Sequence, residues 1–238
     1  MASKKRILIV RHGQSEWNLA QEQEDGANSD ETPLWDAALT EEGQWQASTL
    51  YDFLEDEKID YVISSPLSRA LQTCLLAYPP QEHPNITYHV DRNIRESISG
   101  SDDIGSTPSM LAEKFPMFDF SELPEVWWYS KFQTLAEARK EYLLEENFNE
   151  PRSLVMERLR NFYESLLTLP YDNILVFGHC NIFHKLMRIA NPKIGYYQSN
   201  CEVVEIFPAT KKMKMLFEPG CGAVEMELNG EDSTDSDS

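Results

Sequence analysis

The sequence predicts an α/β protein with three α/β/α layers, in which helices cover both faces of a mainly parallel central sheet. Short runs rich in β-branched residues alternate along the chain with segments of helical periodicity. Several of these runs end directly in Arg, His, Gly or Ser, which places polar groups where open α/β sheets carry their sites. The chain has 238 residues, of which 41% are hydrophobic, so it can bury one large core.

The first predicted strand, Ile7–Val10, leads directly into the most informative motif of the chain. Arg11 and His12 follow the strand, and Gly13 allows a tight turn. Ser15 then offers an N-cap for a helix. This order of a strand, an arginine, an imidazole and a helix start is typical of an anion site.

The next elements continue the alternation of helices and strands. Thr40 is the predicted N-cap of a helix, because two acidic residues occupy the turn that follows it. Residues 61–64 form the second strand, and Ser65 and Pro66 open the helix after it. Residues 86–90 alternate as a third strand does.

Residues 98–150 interrupt this pattern and are predicted to be an irregular, partly helical insertion. Gly, Ser and Pro cluster at 100–108, and Trp127 with Trp128 gives the segment a large apolar surface. We expect the insertion to cover the site and to choose the substrate. For the two indoles themselves, core or lid packing is favoured, and a substrate-facing position is the alternative. A helix at 151–169, a strand at 173–177 ending in Gly178 and His179, a helix at 182–189 and strands at 202–207 and 214–217 complete the fold.

Charge and composition limit the partners and the compartment. No Gly/Ser/Pro-rich linker divides the first 220 residues, so residues 1–228 are expected to form one domain, whereas the acidic segment 229–238 lacks apolar residues and is expected to be disordered. The net charge of −19 argues against nucleic acid and anionic membranes as partners. No apolar run approaches the length of about 18 residues that a membrane span needs. The four cysteines lack paired spacing, which favours reduced thiols in a cytoplasmic protein.

Five side chains at predicted strand ends form a set suited to phosphoryl chemistry. Arg11 and Arg69 can grip phosphoryl oxygens with their planar guanidinium groups. The set contains two histidines, His12 and His179, and a neutral imidazole can attack phosphorus. A carboxylic acid such as Glu96 can protonate the departing oxygen and then activate water. Helix N-termini after Gly13 and Gly178 can add backbone N–H donors.

Several ordered motifs together resemble the histidine phosphatase superfamily, also called the phosphoglycerate mutase-like family. The motifs are Arg11-His12-Gly13 with Asn18, Leu39-Thr-Glu-Glu-Gly43, Ser64-Ser-Pro-Leu-Ser-Arg-Ala70 with Gln72-Thr73, Arg95-Glu96 and Gly178-His179. The resemblance implies a phosphoglycerate mutase-like fold and an enzyme that handles phosphate esters.

The resemblance also implies a role for each matching residue. His12 would be the nucleophile that becomes phosphohistidine, and Glu96 would be the proton donor. Arg11, Arg69 and His179 would hold the phosphoryl oxygens, with His179 also counted as catalytic and Asn18 as a further phosphate ligand. No metal and no cofactor are expected. The predicted activity is therefore that of a metal-independent phosphoric monoester hydrolase acting on a phosphorylated small molecule.

Two departures from familiar members, the lack of basic residues after the acid and the 98–150 insertion with its two tryptophans, leave alternatives open. Mutases carry basic residues soon after the acid, but Ser97-Ile-Ser-Gly-Ser-Asp-Asp103 contains no Lys or Arg. This counts against a phosphoglycerate mutase, which stays an alternative beside a protein phosphatase or a weakly active interaction module. A sugar phosphate or nucleotide phosphohydrolase is a third. Asp102 or Asp103 can replace Glu96 as the acid, and His83, His89 and His184 are interpreted as structural.

Overall fold

The computed structural model describes residues 5–23, 32–145 and 148–228, so the predicted disordered tail at 229–238 lies outside the described residues. The described chain forms one sheet of seven strands in the order β3-β2-β4-β1-β5-β6-β7. The strands are β1 (Arg6–Arg11), β2 (Tyr61–Ser64), β3 (Thr87–Val90), β4 (Asn173–Gly178), β5 (Val203–Phe207), β6 (Lys212–Glu218) and β7 (Gly222–Glu227).

The predicted α/β class is confirmed, and the sheet is mixed. The pairs among β3, β2, β4 and β1 are parallel, and those that join β1, β5, β6 and β7 are antiparallel. The sequence did not predict β7. This edge strand has no buried residue, so it lacks the hydrophobic alternation by which strands are recognised.

The helices pack on both faces of the sheet, as the three-layer prediction requires. They are α1 (Glu16–Gln23), α2 (Glu41–Thr49), α3 (Tyr51–Glu55), α4 (Ser68–Ala77), α5 (Pro108–Lys114), α6 (Leu135–Leu144), α7 (Arg152–Thr168) and α8 (Cys180–Ala190). Two short 3₁₀ turns, Arg92–Ile94 and Ser101–Asp103, flank the loop after β3. Within the described ranges, no helix combines the length and apolarity required to cross a bilayer.

Strand β1 contributes to two hydrophobic clusters because its side chains alternate between the faces of the sheet. Leu8 packs in the cluster that contains Leu71 of α4 and the apolar residues of the insertion. Ile7 and Ile9 pack in the cluster formed with α7 and α8. Each side of the sheet is thus covered by a hydrophobic cluster.

The two tryptophans of the insertion pack as core residues. Trp127 and Trp128 are 2% and 4% exposed and belong to the hydrophobic cluster on the α4 side of the sheet. The Trp127 Nε1–H donates to the carbonyl oxygen of Ser106 at 2.8 Å. The Trp127 ring leaves no space for a side chain at Gly105, where a Cβ would lie 2.1 Å from Cζ2. Both indoles therefore pack in the hydrophobic core.

Candidate active site

The parallel pairing of three strands brings the predicted site residues to one edge of the sheet. Arg11 at the end of β1 is in register with Gly178 at the end of β4. Ser64 at the end of β2 is in register with Phe177. His12 and His179, which follow β1 and β4, therefore lie side by side, with ring centroids 5.2 Å apart.

Two glycines allow the loop after β1 to contact the start of α2. A Cβ at Gly13 would lie 2.3 Å from the carbonyl oxygen of Gly43, and one at Gly43 would lie 2.0 Å from that of Gln14. Thr40 caps α2 as predicted, since its hydroxyl accepts from the Gly43 N–H at 3.0 Å. The Leu-Thr-Glu-Glu-Gly motif thus supports the loop that holds His12.

The His12 side chain is buried, neutral and oriented by one hydrogen bond. Its Nδ1 lies 2.7 Å from the carbonyl oxygen of Gly13. Because a carbonyl can only accept, Nδ1 carries the proton and Nε2 carries the lone pair. Burial and the positive charges of Arg69 and Arg11 hold the pKa of His12 well below its usual range. The ring is therefore in the state that a nucleophile requires.

His179 is fully buried and has one nitrogen without a partner. Its Nε2 lies 2.8 Å from the hydroxyl of Ser65, which itself accepts from the Leu67 N–H at 3.3 Å. When the Ser65 hydroxyl donates to Nε2, the proton of the neutral ring lies on Nδ1. Among the described residues nothing hydrogen-bonds Nδ1. Burial and Arg69 hold the pKa of His179 well below its usual range, so this N–H is suited to an oxygen of a bound phosphoryl group.

Arg69 is fixed by two aspartates from the start of the insertion. Its Nη1 donates to the carbonyl oxygen of Asp102 at 2.8 Å and lies 3.2 Å from that residue's Oδ2. Its Nη2 donates to Oδ1 of Asp103 at 2.8 Å. Burial and the charge of Asp103 raise the pKa of Asp102 well above its usual range. The two residues considered as alternative acids are thus partners of Arg69.

Arg11 and Asn18 are both held by the loop that precedes β5. The Nη1 of Arg11 donates to the carbonyl oxygen of Gln198 at 2.8 Å. Oδ1 of Asn18 accepts from the Ser15 N–H at 3.1 Å and from Nδ2 of Asn200 at 3.4 Å. Nδ2 of Asn200 also donates to the carbonyl oxygen of His12 at 2.9 Å. Asn18 is therefore connected to the backbone of His12 through Asn200.

Glu96 lies beside this group, between the loop after β3 and the start of α8. Its Oε1 accepts from the Ser97 N–H at 2.8 Å, and its Oε2 accepts from the Asn181 N–H at 3.2 Å. Burial and the charge of Asp103 raise the pKa of Glu96, against an opposing effect of Arg69. A raised pKa is what a carboxylic acid needs to donate a proton near neutral pH.

A buried ion cluster supports the backbone that carries Glu96. Arg158 of α7 donates through Nη1 to the carbonyl oxygens of Asn93 and Arg95 and through Nη2 to that of Glu96 at 3.4 Å. Glu150 pairs with Arg158 at 2.8 Å and with Arg95 at 2.6 Å. Burial and the charge of Arg158 lower the pKa of Arg95 to about 9. The cluster fixes the position of the segment 93–96 relative to α7.

Two backbone donors expected for an anion are already used. The Gly13 N–H donates to the hydroxyl of Thr73 at 3.1 Å, and the Asn181 N–H donates to Glu96. Side chains from α4 and from the β3 loop satisfy these two N–H groups, so neither of the two is free for an anion. Sequence reasoning also missed residues that support the site through long-range contacts: Ser65, Glu150, Arg158, Gln198 and Asn200.

The described residues supply imidazole, guanidinium and carboxylate groups at this edge. Within the described ranges, no group of three or more His, Cys, Asp or Glu side chains is arranged as a set of metal ligands. The arrangement can bind a phosphoryl group, attack it with an imidazole and protonate the departing oxygen.

Comparison with known proteins matches this chain to a family. Residues 7–206 match the model of the "Histidine phosphatase superfamily (branch 1)". The chain is 24% identical over 197 residues to "Phosphoglycerate mutase 1" of Saccharomyces cerevisiae, which covers 77% of this chain and 76% of the relative.

Two further proteins are similar to this chain. It is 27% identical over 207 residues to the "Probable 2-carboxy-D-arabinitol-1-phosphatase" of Arabidopsis thaliana, covering 84% of this chain but only 37% of that protein. The structure is also similar in fold to that of a mycobacterial glucosyl-3-phosphoglycerate phosphatase solved with VO3. The TM-score is 0.53 at 19% identity, and the match covers 85% of this chain and 92% of the other.

Proposed function

The chain belongs to the histidine phosphatase superfamily, and we propose that it hydrolyses a small phosphate monoester through a phosphohistidine on His12, without a metal ion. The observation that carries this proposal is the state of His12. Its ring is buried, its pKa is lowered, and its Nδ1 proton is committed to the Gly13 carbonyl. These conditions leave Nε2 as a neutral nucleophile beside two arginines.

The first half of the reaction transfers the phosphoryl group to the protein. Arg11, Arg69 and His179 hold the phosphoryl oxygens, whose negative charge spreads in the transition state. Nε2 of His12 forms a bond to phosphorus while the bond from phosphorus to the ester oxygen breaks. The electron pair of that bond leaves with the oxygen, which takes the proton of Glu96.

The second half returns the protein to its starting state. Glu96, now a carboxylate, takes a proton from a water molecule as the water oxygen attacks phosphorus. The bond from phosphorus to Nε2 of His12 breaks, and inorganic phosphate leaves. The raised pKa of Glu96 supports both roles, because it reduces the free energy needed to return the proton to the carboxylate.

A mutase is the second candidate, because the matched protein of Saccharomyces cerevisiae is a phosphoglycerate mutase. Both reactions pass through phosphohistidine and differ in what accepts the phosphoryl group next. Residues 97–103, which follow the acid, contain no Lys or Arg that would retain a carboxylate substrate for the return transfer. We therefore propose water as the acceptor.

A panel of phosphate esters tests the proposal. The panel contains sugar phosphates, nucleotides, phosphorylated carboxylic acids and phosphopeptides, each incubated with the protein in the presence of EDTA, with His12→Ala in parallel. We expect release of inorganic phosphate from at least one small ester and none from the variant. Isomerisation without release would favour the mutase, cleavage of phosphopeptides alone would favour a protein phosphatase, and loss of activity in EDTA would contradict metal independence.

A further inference from the structure

Two adjacent aspartates contact the same guanidinium group of Arg69, but their surroundings differ. Oδ1 of Asp103 accepts from Nη2 of Arg69 at 2.8 Å. Its Oδ2 accepts from the N–H groups of Ser99 at 3.0 Å and Gly100 at 3.3 Å. Oδ2 of Asp102 lies 3.2 Å from Nη1 of Arg69, but its Oδ1 is buried and has no hydrogen-bond partner among the described residues. The donors that a buried carboxylate requires are therefore present at Asp103 and incomplete at Asp102.

The unpartnered oxygen of Asp102 lies near the indole of Trp17 on α1. A Cβ added to Gly100 would lie 2.5 Å from Oδ1 of Asp102 and 2.6 Å from Cζ2 of Trp17, so the oxygen and the ring carbon border the same small space. Asp102 is buried, so bulk water does not supply the missing donor. An ionised oxygen is unfavourable in such surroundings, whereas a carboxyl group that carries a proton is tolerated.

The charges around Asp102 also favour its neutral form. They come from three elements: Arg69 of α4, Asp103 of the same 3₁₀ turn and Glu96 of the loop after β3. All four side chains are buried. If Asp102 and Asp103 were both ionised, Arg69 alone would not balance them, and the three groups together would be negative. Burial and the charge of Asp103 raise the pKa of Asp102, and Glu96 raises it further, against the opposing effect of Arg69.

We propose that Asp102 is a neutral carboxylic acid at neutral pH, whereas Asp103 is the ionised partner of Arg69, and that the proton on Asp102 strengthens binding of the phosphoryl group. This inference rests on the proposed function, since it concerns the affinity of the same site for its anion. With the proton in place, Arg69 and the two aspartates are together neutral. Without it they are negative and repel a phosphoryl dianion. Asp102 therefore acts on the site through the charge at Arg69.

The sign of the pH dependence follows from this charge. As pH rises through the raised pKa of Asp102, a negative charge appears beside Arg69, and the affinity for anions falls. A bound dianion opposes this ionisation in turn, because the coupling between anion and proton is reciprocal. Asp102 therefore stays protonated in the complex, and its effect appears in KM and in dissociation constants. The rate at saturating substrate reports Glu96 instead.

Calorimetric titration with sulfate tests the effect on affinity, because sulfate is a tetrahedral dianion near neutral pH and undergoes no turnover. Every protein in the series carries Glu96→Gln, which removes a neighbouring carboxyl group whose pKa is also raised. We expect the dissociation constant to rise at least about tenfold between weakly acidic and weakly basic pH. In Asp102→Asn the amide cannot ionise, so the rise should be less than about threefold. Asp52→Asn, exposed on α3, is the matched control and should behave as its parent.

Infrared spectroscopy of the same proteins locates the proton directly. A protonated carboxyl group has a carbonyl stretching band that is separate from the bands of carboxylates. At neutral pH, we expect this band in the difference spectrum between the Glu96→Gln parent and Asp102→Asn. The difference from Asp103→Asn should contain it too, because Asp102 then becomes the acidic partner of Arg69 and ionises. Asp102→Leu also cannot ionise and should give the results of Asp102→Asn, which covers the case in which Asp102→Asn fails to fold.

These measurements involve no turnover, so they separate this inference from the proposed function. If no ester is hydrolysed but the pH dependence of sulfate binding is lost in Asp102→Asn, the proposed function fails and the role of Asp102 stands. If esters are hydrolysed but sulfate affinity does not depend on pH, depends on it equally in Asp102→Asn, or the carboxyl band is missing from the difference spectra, the inference is overturned. It is also overturned if Asp102→Asn with Glu96 intact hydrolyses nitrophenyl phosphate but not alkyl phosphates, because Asp102 would then be the proton donor.

Discussion

The proposed phosphoryl side and the proposed acid side of the candidate site are built in different ways. On the phosphoryl side, His12 and His179 follow adjacent parallel strands whose register places them together. On the acid side, Glu96 depends on α7, α8 and the insertion, through contacts such as that with Asn181, 85 residues away. Regular backbone pairing determines the positions of His12 and His179. Contacts between distant segments determine the position of Glu96.

This difference in construction corresponds to the two parts of a phosphate ester, because the phosphoryl group is constant and the leaving group varies among substrates. A phosphoryl group is the same in every substrate, so a rigid sheet edge can hold it with His12 and His179, whose positions follow from strand pairing. The leaving group differs between substrates, and in the proposed mechanism it faces a side formed by ion pairs and loops. Asp103 illustrates the connection, because its Oδ1 accepts from Arg69 and its Oδ2 accepts from the Ser99 N–H at 3.0 Å.

The largest effect is expected on the phosphoryl side. His12→Ala removes the proposed nucleophile and should reduce kcat by at least about 10⁴-fold for every ester, whatever its leaving group. Steady-state rates of phosphate release measure this loss, and circular dichroism checks that the fold is retained. His89→Ala, on β3, is the matched control and should keep its activity. A His12→Ala protein that still hydrolyses esters would contradict the assignment of His12 as the nucleophile, on which the comparison of the two sides depends.

Glu96→Gln should have a smaller effect that depends on the substrate. Loss of a general acid costs about 10²- to 10⁴-fold in rate when the leaving alcohol needs a proton. The loss should be greater for alkyl phosphates than for nitrophenyl phosphate, whose leaving group is stable as an anion. Equal losses for both would show that Glu96 does not donate the proton, and Asp102→Asn and Asp103→Asn would then be measured next.

The pH dependence should also separate the two sides. The pKa of His12 is lowered, so the acidic limb of the rate profile should lie below the usual titration of histidine. The pKa of Glu96 is raised, and Glu96 must be protonated to act, so activity should fall as pH rises through that raised pKa. Because the substrate phosphate also titrates, the profile of Glu96→Gln serves as reference. The basic limb should disappear in this variant, and its persistence would contradict the assignment.

The smallest of these effects is expected from Arg158, which acts only by positioning the segment 93–96. Arg158→Lys keeps the charge but loses the forked contacts to three carbonyl oxygens, and should reduce kcat for alkyl phosphates by about tenfold with little change for nitrophenyl phosphate. Arg160→Lys, on the exposed side of α7, is the control. A uniform loss on both substrates, in parallel with a lower unfolding temperature, would mean that Arg158 is only structural.

The sequence predicts the phosphoryl side better than the acid side for physical reasons. His12, Arg69 and His179 follow strands or begin helices, so hydrophobic periodicity places them at one edge. No local pattern indicates that Asp102 pairs with Arg69 or that Arg158 binds the backbone of Glu96, since these contacts form only after packing. Gln198 and Asn200 lie in a loop without hydrophobic periodicity, and β7 lacks a buried face. Neither the loop nor β7 therefore leaves a recognisable pattern in the sequence.

The formation of phosphohistidine on His12 is the most direct test of the central claim. Protein mixed with a ³²P-labelled ester and quenched in base within one turnover should carry label that is stable to base, labile to acid, and located by peptide mapping at residue 12. The same experiment on His12→Ala should trap nothing. Label at His179, or steady release of phosphate with no labelled protein at any time, would contradict the account.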